Sequence, residues 1–236
     1  CIRDRDAPAL SSGAIQMTEP SSFLPVAEAY DLWAGTYDTQ DNPMVFGASR
    51  IVEGLAGEVR GRDVVEFGCG TGRNLARLRA GGAASLTGLD LSAGMLDQAR
   101  RRGPDFHLLR HDMSQPVALP DASADLALFC LSLEHMADLL PPLREARRLL
   151  RPRGEVRIVE IHPFLSLGGT GAHFQAGGRE IRMPTVAHGF ADYLNGFAAL
   201  ELRLLACREW RPRDFGGALP DRVLKRGPDH PLLVEF

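Results

Sequence analysis

Three glycines at alternate positions follow a short apolar run, and a glutamate stands just before them. Residues 66–72 read E-F-G-C-G-T-G, which places the glycines at Gly68, Gly70 and Gly72 after Glu66. Glycine has no β-carbon, so the backbone can turn tightly here and lie close against a ligand. A carboxylate beside such a turn repels a diphosphate and suits a ligand that carries an ammonium group. A tight turn with a purely structural role is the alternative that glycine spacing alone leaves open.

Two phosphate-binding motifs do not fit this segment. A dinucleotide-binding turn has the pattern G-x-G-x-x-G, which from Gly68 requires a glycine at position 73, where the chain has Arg73. A P-loop ends in Gly-Lys-Ser/Thr, whereas Gly72 is followed by Arg73 and Asn74. The segment therefore favours a ligand that is cationic at this point over a phosphate-bearing one.

The elements around the turn follow a regular rhythm, because short apolar runs alternate with amphipathic stretches. The predicted strands are Val64–Phe67, Leu86–Leu89, Phe106–Leu109, Leu126–Leu131 and Val156–Ile161, and the predicted helices between them are Asn74–Leu78, Ala93–Arg100 and Leu139–Leu150. Parallel strands that are covered by helices on both faces read as continuous apolar runs. The pattern therefore predicts an α/β fold with a Rossmann-like, doubly wound, mostly parallel sheet.

Four segments, in order, resemble the motifs of class I S-adenosylmethionine-dependent methyltransferases. The first is the glycine turn, and the others are G-L-D-L-S at 88–92, H-D-M at 111–113 and A-L-F-C-L-S-L-E-H-M at 127–136. The similarity spans about Tyr30 to Ile161. It implies S-adenosyl-L-methionine as the cofactor and transfer of its methyl group as the activity.

The resemblance also implies roles for individual residues. Asp90, 24 positions after Glu66, corresponds to the acid that accepts hydrogen bonds from both ribose hydroxyls. Asp112 corresponds to the acid that accepts a hydrogen bond from the adenine amino group. The backbone amide of the next residue, Met113, is expected to contact the adenine ring. For Asp90, capping of the following helix is the alternative, although Ser92 fills that role as well.

Further cofactor contacts follow from the same resemblance. Leu91 and Met95 are expected to form the apolar slot for adenine, and the backbone of Cys130 is expected to face the cofactor from a strand end. Tyr37 is expected to close over the methionine end of the cofactor. Tyr30, Trp33 and Tyr37 also recur at helical spacing, so a role as core anchors is the alternative for them.

Two histidines follow strands and are the candidate catalytic bases. His135 follows the fourth predicted strand and His162 follows the fifth, so both are expected at the carboxyl edge of the sheet, near the transferred methyl. A base assists an alcohol, phenol or activated carbon acceptor by removing its proton. Structural roles, cofactor contact for His135 and a loop hydrogen bond for His162, are the alternatives. We propose no metal site from the sequence.

The chain is divided into four regions by its patterns. They are a flexible leader at 1–22, N-terminal lid helices at 23–60, an S-adenosylmethionine-binding core at 61–161, and a substrate-recognition insert with the last strands of the same domain at 162–236. In the last region we predict a hairpin across Gly177 and Gly178, a helix at 186–199, a strand at 202–210 and a C-terminal antiparallel edge strand at 232–236.

Composition narrows the function classes. The chain has 236 residues, 27 basic and 30 acidic side chains and a net charge of −3, so its overall field does not attract nucleic acid or anionic membranes. No uninterrupted apolar run approaches the roughly 18 residues of a bilayer span, and the four cysteines lack metal-ligand spacing. We expect a cytoplasmic protein, monomer or homodimer, without nucleic-acid or membrane partners.

The sequence analysis thus predicts methyl transfer to oxygen or nitrogen, less readily to carbon, of a small molecule. After the fourth strand the chain lacks the Asn/Asp-Pro-Pro-aromatic segment of base-modifying nucleic-acid methyltransferases. Two alternatives stay open: a non-catalytic protein that binds S-adenosylmethionine as a partner or sensor, and a nicotinamide-dependent oxidoreductase on a similar sheet.

Overall fold

The computed structural model describes residues 22–236, so all but the last residue of the predicted leader lies outside the described residues. The strands are β1 (Ser22–Phe23), β2 (Asp63–Phe67), β3 (Ser85–Asp90), β4 (His107–Arg110), β5 (Ala124–Cys130), β6 (Leu150–Ile161), β7 (His173–Ala176), β8 (Arg179–Arg182), β9 (Arg208–Trp210) and β10 (Leu233–Glu235). The helices are α1 (Val26–Trp33), α2 (Pro43–Leu55), α3 (Arg73–Ala80), α4 (Ala93–Arg102), α5 (Leu140–Leu149), α6 (Pro163–Leu167), α7 (Phe190–Ala199) and α8 (Asp221–Leu224). Within residues 22–236, no helix has the length and apolarity needed to cross a membrane.

The main sheet has seven strands in the order β4-β3-β2-β5-β6-β10-β9. Strands β2 to β6 pair in parallel, whereas β10 pairs antiparallel with both β6 and β9. The chain moves outward in one direction from β2 to β4 and in the other from β5 to β6, so the strand order reverses between β2 and β5. Open α/β sheets bind ligands at the carboxyl ends of the strands beside such a reversal.

The predicted α/β fold is confirmed, with differences in its last third. The C-terminal strand β10 is antiparallel as expected, but it lies one strand inside the edge, and β9 forms the edge itself. The strand predicted at 202–210 is reduced to Arg208–Trp210. The helix predicted from Val186 begins only at Phe190, because the Val186 amide donates to the carbonyl of Glu134 and holds the chain extended there.

Side chains on both faces of the sheet are buried, which explains why the strands read as continuous apolar runs. Phe67 of β2 and Phe129 of β5 are fully buried and stack at 4.7 Å between ring centroids on one face. Their neighbours in sequence point the other way, and Leu126 and Leu128 of β5 pack there with Leu75 of α3. Each face therefore has its own core, as a doubly wound sheet requires.

A small second sheet packs against α1, and the name lid is kept below for this sheet and α1 together. Its order is β1-β8-β7, so it joins the N-terminal part of the described chain to a hairpin about 150 residues later. The hairpin turns at Gly177 and Gly178, both with positive φ, as the favoured two-residue turns require. Trp33 of α1 stacks on Phe174 of β7 at 4.5 Å, which fixes the helix to the small sheet.

Because Phe129 is buried in the stacked pair with Phe67, replacing it by alanine is expected to cost much more stability than replacing an exposed phenylalanine. Phe129→Ala empties a fully buried site and is expected to lower the free energy of unfolding by about 3–5 kcal/mol. Phe164→Ala, at a side chain that is 64% exposed, is the matched control and is expected to change it by less than about 0.5 kcal/mol. Denaturant unfolding of both variants measures this, and equal losses would contradict the assigned core.

Candidate functional site

A cavity lies at the carboxyl edge of the sheet, where the strand order reverses. It is bounded by the glycine turn after β2, the end of β3, the loop after β5 and helix α1 of the lid. Its empty space is about 920 Å³, a volume that includes open solvent at the mouth. Elements from both the sheet and the lid therefore contribute to one site.

The glycine turn is held against the end of β3 and against the loop after β5. The amides of Gly68 and Cys69 donate to the carbonyl of Leu89 at 2.7 and 2.9 Å. Gly68 has a φ of +73°, and a β-carbon there would lie 2.6 Å from the β-carbon of Ser132. Of the three predicted glycines, Gly68 and Gly70 line the cavity, whereas Gly72 packs against Ala99 of α4.

Asp90 supplies a carboxylate to the cavity. Its Oδ2 accepts the Gly70 amide at 2.7 Å and its Oδ1 accepts the Ser92 amide at 2.9 Å. Burial raises the pKa of Asp90 to about 6, so the group is mostly ionised at neutral pH. The side chain of Ser92 caps α4 by accepting the Met95 amide, so the cap does not depend on Asp90.

Glu66 lies elsewhere than the sequence suggested. Its side chain is fully buried beneath the turn, where Oε1 accepts a hydrogen bond from Nδ2 of Asn74 at 2.8 Å. Burial raises the pKa of Glu66 to about 8, so the carboxyl group is mostly protonated at neutral pH. Glu66 does not line the cavity, and the charge-selection argument made for it therefore does not hold. The carboxylate that faces the cavity is Asp90.

Arg73 brings a positive charge to the same cavity. It is the first residue of α3, and its guanidinium carbon lies 5.7 Å from the ring centroid of Tyr37, which also lines the cavity. Its Nε is buried and has no hydrogen-bond partner within residues 22–236, and the Asp38 carboxylate is 3.8 Å from Nη1. From the sequence, Arg73 only excluded two phosphate-binding motifs. Its position at the start of the helix after the turn was the available signal.

Apolar side chains line another part of the cavity. Leu91, Met95 and Met113 are there, as is Cys130, whose thiol pKa is raised to about 12 by burial and which is therefore neutral. Asp112 does not line the cavity, because its side chain is exposed and its Oδ1 accepts the Ser114 amide. The apolar residues expected to contact adenine thus lie together in the cavity wall, whereas the side chain of Asp112 is not part of that wall.

His135 lines the cavity and is hydrogen-bonded on both sides of its ring. Its Nδ1 lies 2.8 Å from the carbonyl oxygen of Pro184, and its Nε2 lies 2.8 Å from the hydroxyl of Tyr30. Burial lowers the pKa of His135 below its ordinary value. The ring is therefore neutral at pH 7 and sits between the loop after β5, the insert and α1. Its partner Tyr30 also lines the cavity.

His162 differs from its expected position. It is buried outside the cavity, where its Nδ1 accepts the Phe164 amide at 3.2 Å and caps α6. Its Nε2 donates to the carboxylate of Glu209 in β9 at 3.0 Å. Both ring nitrogens are thus used for packing of the edge strand and α6, and His162 does not contact the cavity.

The cavity combines groups of complementary chemistry. It has one carboxylate, one guanidinium, an apolar slot and two histidines, His111 and His135. No group of three or more His, Cys, Asp or Glu side chains in the described part of the chain is arranged to hold a metal ion. The arrangement suits a ligand with hydroxyls, a carboxylate and an apolar ring, bound beside a nitrogen base.

Comparison with known sequences matches residues 65–158 to the family described as "Methyltransferase domain". A malonyl-[acyl-carrier protein] O-methyltransferase of Serratia marcescens is 35% identical over 131 residues, which is 56% of this chain and 50% of that protein. The 27-O-demethylrifamycin SV methyltransferase of Amycolatopsis mediterranei (strain S699) is 26% identical over 54% of this chain and 50% of its own length. The match spans about half the length of each of these two curated relatives.

Solved structures share the fold over most of the chain. The DhpI–SAH complex has 25% identity and a TM-score of 0.62, covering 89% of this chain and 92% of that one. An S-adenosylmethionine-dependent methyltransferase from Mesorhizobium loti has 24% identity and a TM-score of 0.60, covering 78% of this chain and 94% of that one. The [4+2]-cyclase SpnF has the same fold, with 20% identity and a TM-score of 0.57 over 80% of this chain and 76% of its own.

The buried position of Glu66 predicts a pH-dependent stability difference. Since its folded pKa of about 8 lies above the unfolded value of 4.5, the stability that it contributes is complete below pH 4.5 and is lost as pH rises through 8. Glu66→Gln does not titrate. Between pH 5 and pH 9 the free energy of unfolding of the variant is therefore expected to rise relative to that of the wild type, by on the order of 2–4 kcal/mol.

Denaturant unfolding across that range measures the difference. Glu28→Gln, at an exposed position on α1, is the control and is expected to follow the wild-type pH profile. A Glu66→Gln profile that runs parallel to the wild type would contradict a protonated, buried Glu66.

Proposed function

We propose that this protein is a class I S-adenosylmethionine-dependent methyltransferase, which binds S-adenosyl-L-methionine and methylates a small molecule, because residues 65–158 match the methyltransferase-domain family. The observation that carries the proposal is the cavity itself, in which the glycine turn, Asp90 and the apolar slot meet at the carboxyl edge of the sheet. When bound, the cofactor supplies an electrophilic methyl group on a positively charged sulfur. The chain then has to align an acceptor with that methyl.

The residues present fit the adenosine part of the cofactor. Asp90 is an ionised acceptor that lines the cavity, and it suits the two ribose hydroxyls. Leu91, Met95 and Met113 provide an apolar slot for the adenine ring. The turn at Gly68 and Gly70 presents backbone without β-carbons, so the ligand can lie close to it.

Arg73 fits the amino-acid part of the cofactor. A buried guanidinium Nε without a partner is costly, and a ligand carboxylate would satisfy it with a charge-assisted hydrogen bond. Tyr37 stacks beside Arg73 and stays protonated, because burial raises its pKa to about 12. We therefore assign Arg73 to the carboxylate of the cofactor, with Tyr37 closing over the same end.

We propose oxygen or nitrogen as the acceptor atom, and oxygen before nitrogen. The two curated relatives described above carry O-methyl transfer in their names. His135 is a neutral base in the cavity, and an oxygen acceptor benefits from such a base. Helix α1 lines one side of the cavity, and the net charge of −3 favours a small molecule over a nucleic acid.

The cofactor assignment predicts that two substitutions have separable effects on binding. Asp90→Ala is expected to lower the affinity for both S-adenosylhomocysteine and 5′-methylthioadenosine by about 10–100-fold, because both ligands carry the ribose. Arg73→Met is expected to lower the affinity for S-adenosylhomocysteine by the same factor and to leave the affinity for methylthioadenosine unchanged, since methylthioadenosine has no carboxylate. Titration calorimetry of each variant with each ligand measures the four affinities.

Arg79→Met, in the same helix but outside the cavity, is the control and is expected to bind both ligands as the wild type does. Wild-type protein that binds neither ligand would contradict the proposed cofactor. Equal losses for both ligands in Arg73→Met would contradict only the carboxylate assignment.

Turnover is tested by supplying methyl-labelled S-adenosylmethionine together with a cell extract fractionated by size. Label is expected in the small-molecule fraction and is expected to disappear when Asp90→Ala replaces the wild type. One protein of the same fold is a cyclase, so the fold alone does not fix the reaction. Methyl transfer is therefore tested separately from cofactor binding. Label in nucleic acid or protein would contradict the substrate class, and bound cofactor without any label would contradict methyl transfer.

A further inference from the structure

We propose that Tyr30 and His135 form a proton relay that deprotonates a hydroxyl group, so that the acceptor of methyl transfer is an alcohol or a phenol. The inference rests on the proposed function and goes further, because it assigns Tyr30 a chemical role and selects one acceptor class. It is carried by the hydrogen-bond geometry around His135 and by the position of both residues in the cavity wall.

The tautomer of His135 follows from its partners. A backbone carbonyl can only accept, so the Nδ1 that lies 2.8 Å from the carbonyl oxygen of Pro184 must carry the proton. In the neutral ring Nε2 is then the lone-pair nitrogen, and the hydroxyl of Tyr30 donates to it at 2.8 Å. The basic nitrogen therefore points at Tyr30, and a backbone carbonyl fixes the ring in that orientation.

Tyr30 connects this base to the cavity. Burial raises the pKa of its phenol well above the ordinary value, so Tyr30 is protonated and transmits a proton instead of acting as a phenolate. Its hydroxyl proton is used in the bond to His135, which leaves the oxygen lone pairs to accept a hydrogen bond from an acceptor hydroxyl. The ring is held by stacking on Trp33 at 5.8 Å between centroids.

The step balances without any further reactant. The acceptor hydroxyl gives its proton to the Tyr30 oxygen while the Tyr30 proton moves to Nε2 of His135. The acceptor oxygen forms a bond to the methyl carbon as the carbon–sulfur bond breaks, and that electron pair stays on sulfur. The positive charge of the sulfonium ends on the imidazolium of His135, which later loses its proton to water.

Nearby charges do not compete with the relay. Tyr30 of α1 is hydrogen-bonded to His135, and the nearest carboxyl in sequence, Glu134, uses its Oε2 to accept the Ala172 amide at 3.2 Å. The pKa of Tyr30 is raised further by the nearby charges of Tyr37, Glu134, Asp90 and Glu160. Burial lowers the pKa of His135 and its bond to Pro184 raises it, and no cation is among these causes, so the lone pair of Nε2 stays available.

The acceptor class follows from what the relay can use. A hydroxyl donates a hydrogen bond to the Tyr30 oxygen, which a C–H group does only weakly, and its oxygen has a lone pair for the methyl carbon. A carboxylate acceptor has already lost its proton at neutral pH, so it gains nothing from a base. A relay set between the lid and the cofactor cavity is therefore an argument for a hydroxyl and against a carboxylate.

The acceptor class is tested with ¹³C-methyl-labelled S-adenosylmethionine and a small-molecule extract. The chemical shift of the labelled carbon in the product distinguishes methyl ethers from methyl esters, N-methyl and C-methyl products. A methyl ether is the expected result, and an ester, N-methyl or C-methyl product would overturn the inference. Absence of any labelled product from a protein that binds S-adenosylhomocysteine would instead contradict the proposed function.

The relay itself is tested with Tyr30→Phe and His135→Gln, assayed with the purified acceptor. Each is expected to lower kcat about 100-fold or more and to bind S-adenosylhomocysteine within threefold of the wild type. The wild-type kcat/KM is expected to fall on the acid side with a pKa below about 6.5, the ordinary histidine value. This decrease of kcat/KM at low pH is the acid limb of the profile, and both variants are expected to lose it.

His188→Gln is the matched control, because His188 bonds the carbonyl of Met136 in the same loop but does not line the cavity. It is expected to lower stability and to keep the acid limb. If Tyr30→Phe or His135→Gln keeps the limb and loses activity only in step with cofactor affinity, the residues are structural and the relay is overturned.

Discussion

The site depends on how the turn after β2 is joined to the end of β3. Two turn amides donate to the carbonyl of Leu89, and the amide of Gly70 donates to the carboxylate of Asp90. These bonds fix the position of Asp90 relative to the backbone that a ligand must approach. The same turn sets where α3 begins, and hence where Arg73 enters the cavity. Any side chain at Gly68 would separate the turn from Ser132 and disturb all of these contacts together.

The second half of the site is assembled by the loop after β5, which connects the sheet to the lid. The buried carboxyl of Glu160 accepts the amides of Ser132 and Leu133 at 2.8 Å and anchors the base of the loop. The outer part of the loop meets the insert, where Pro184 accepts from His135. Burial raises the pKa of Glu160 to about 8, so this anchor is mostly protonated at neutral pH and adds no charge next to the cofactor cavity. The anchor of the loop therefore adds no negative charge beneath the neutral base.

The sequence predicts those parts of the molecule whose signals are local. The strands of the core and the glycine turn follow from apolar runs and glycine spacing within a few residues, and both are present. The position of Glu66 could not be read from spacing, because its burial depends on Asn74 reaching back beneath the turn. The same holds for His162, which is held by Glu209 from an edge strand 47 residues away.

The lid shows the same limit most clearly. Its hairpin at Gly177 and Gly178 was predictable from two adjacent glycines, but its pairing with β1 was not. The hydrogen bond between Tyr30 and His135 joins residues 105 positions apart, and only the folded lid brings them together. Long-range contacts of this kind decide which of the candidate side chains share a cavity.

The most direct test of the account is a crystal structure of the protein grown with equimolar S-adenosylhomocysteine and a reduced nicotinamide dinucleotide. We expect the nucleoside in the cavity, with both ribose hydroxyls on Asp90 and the ligand carboxylate on Arg73. A diphosphate seated against Gly68 and Gly70 would contradict it.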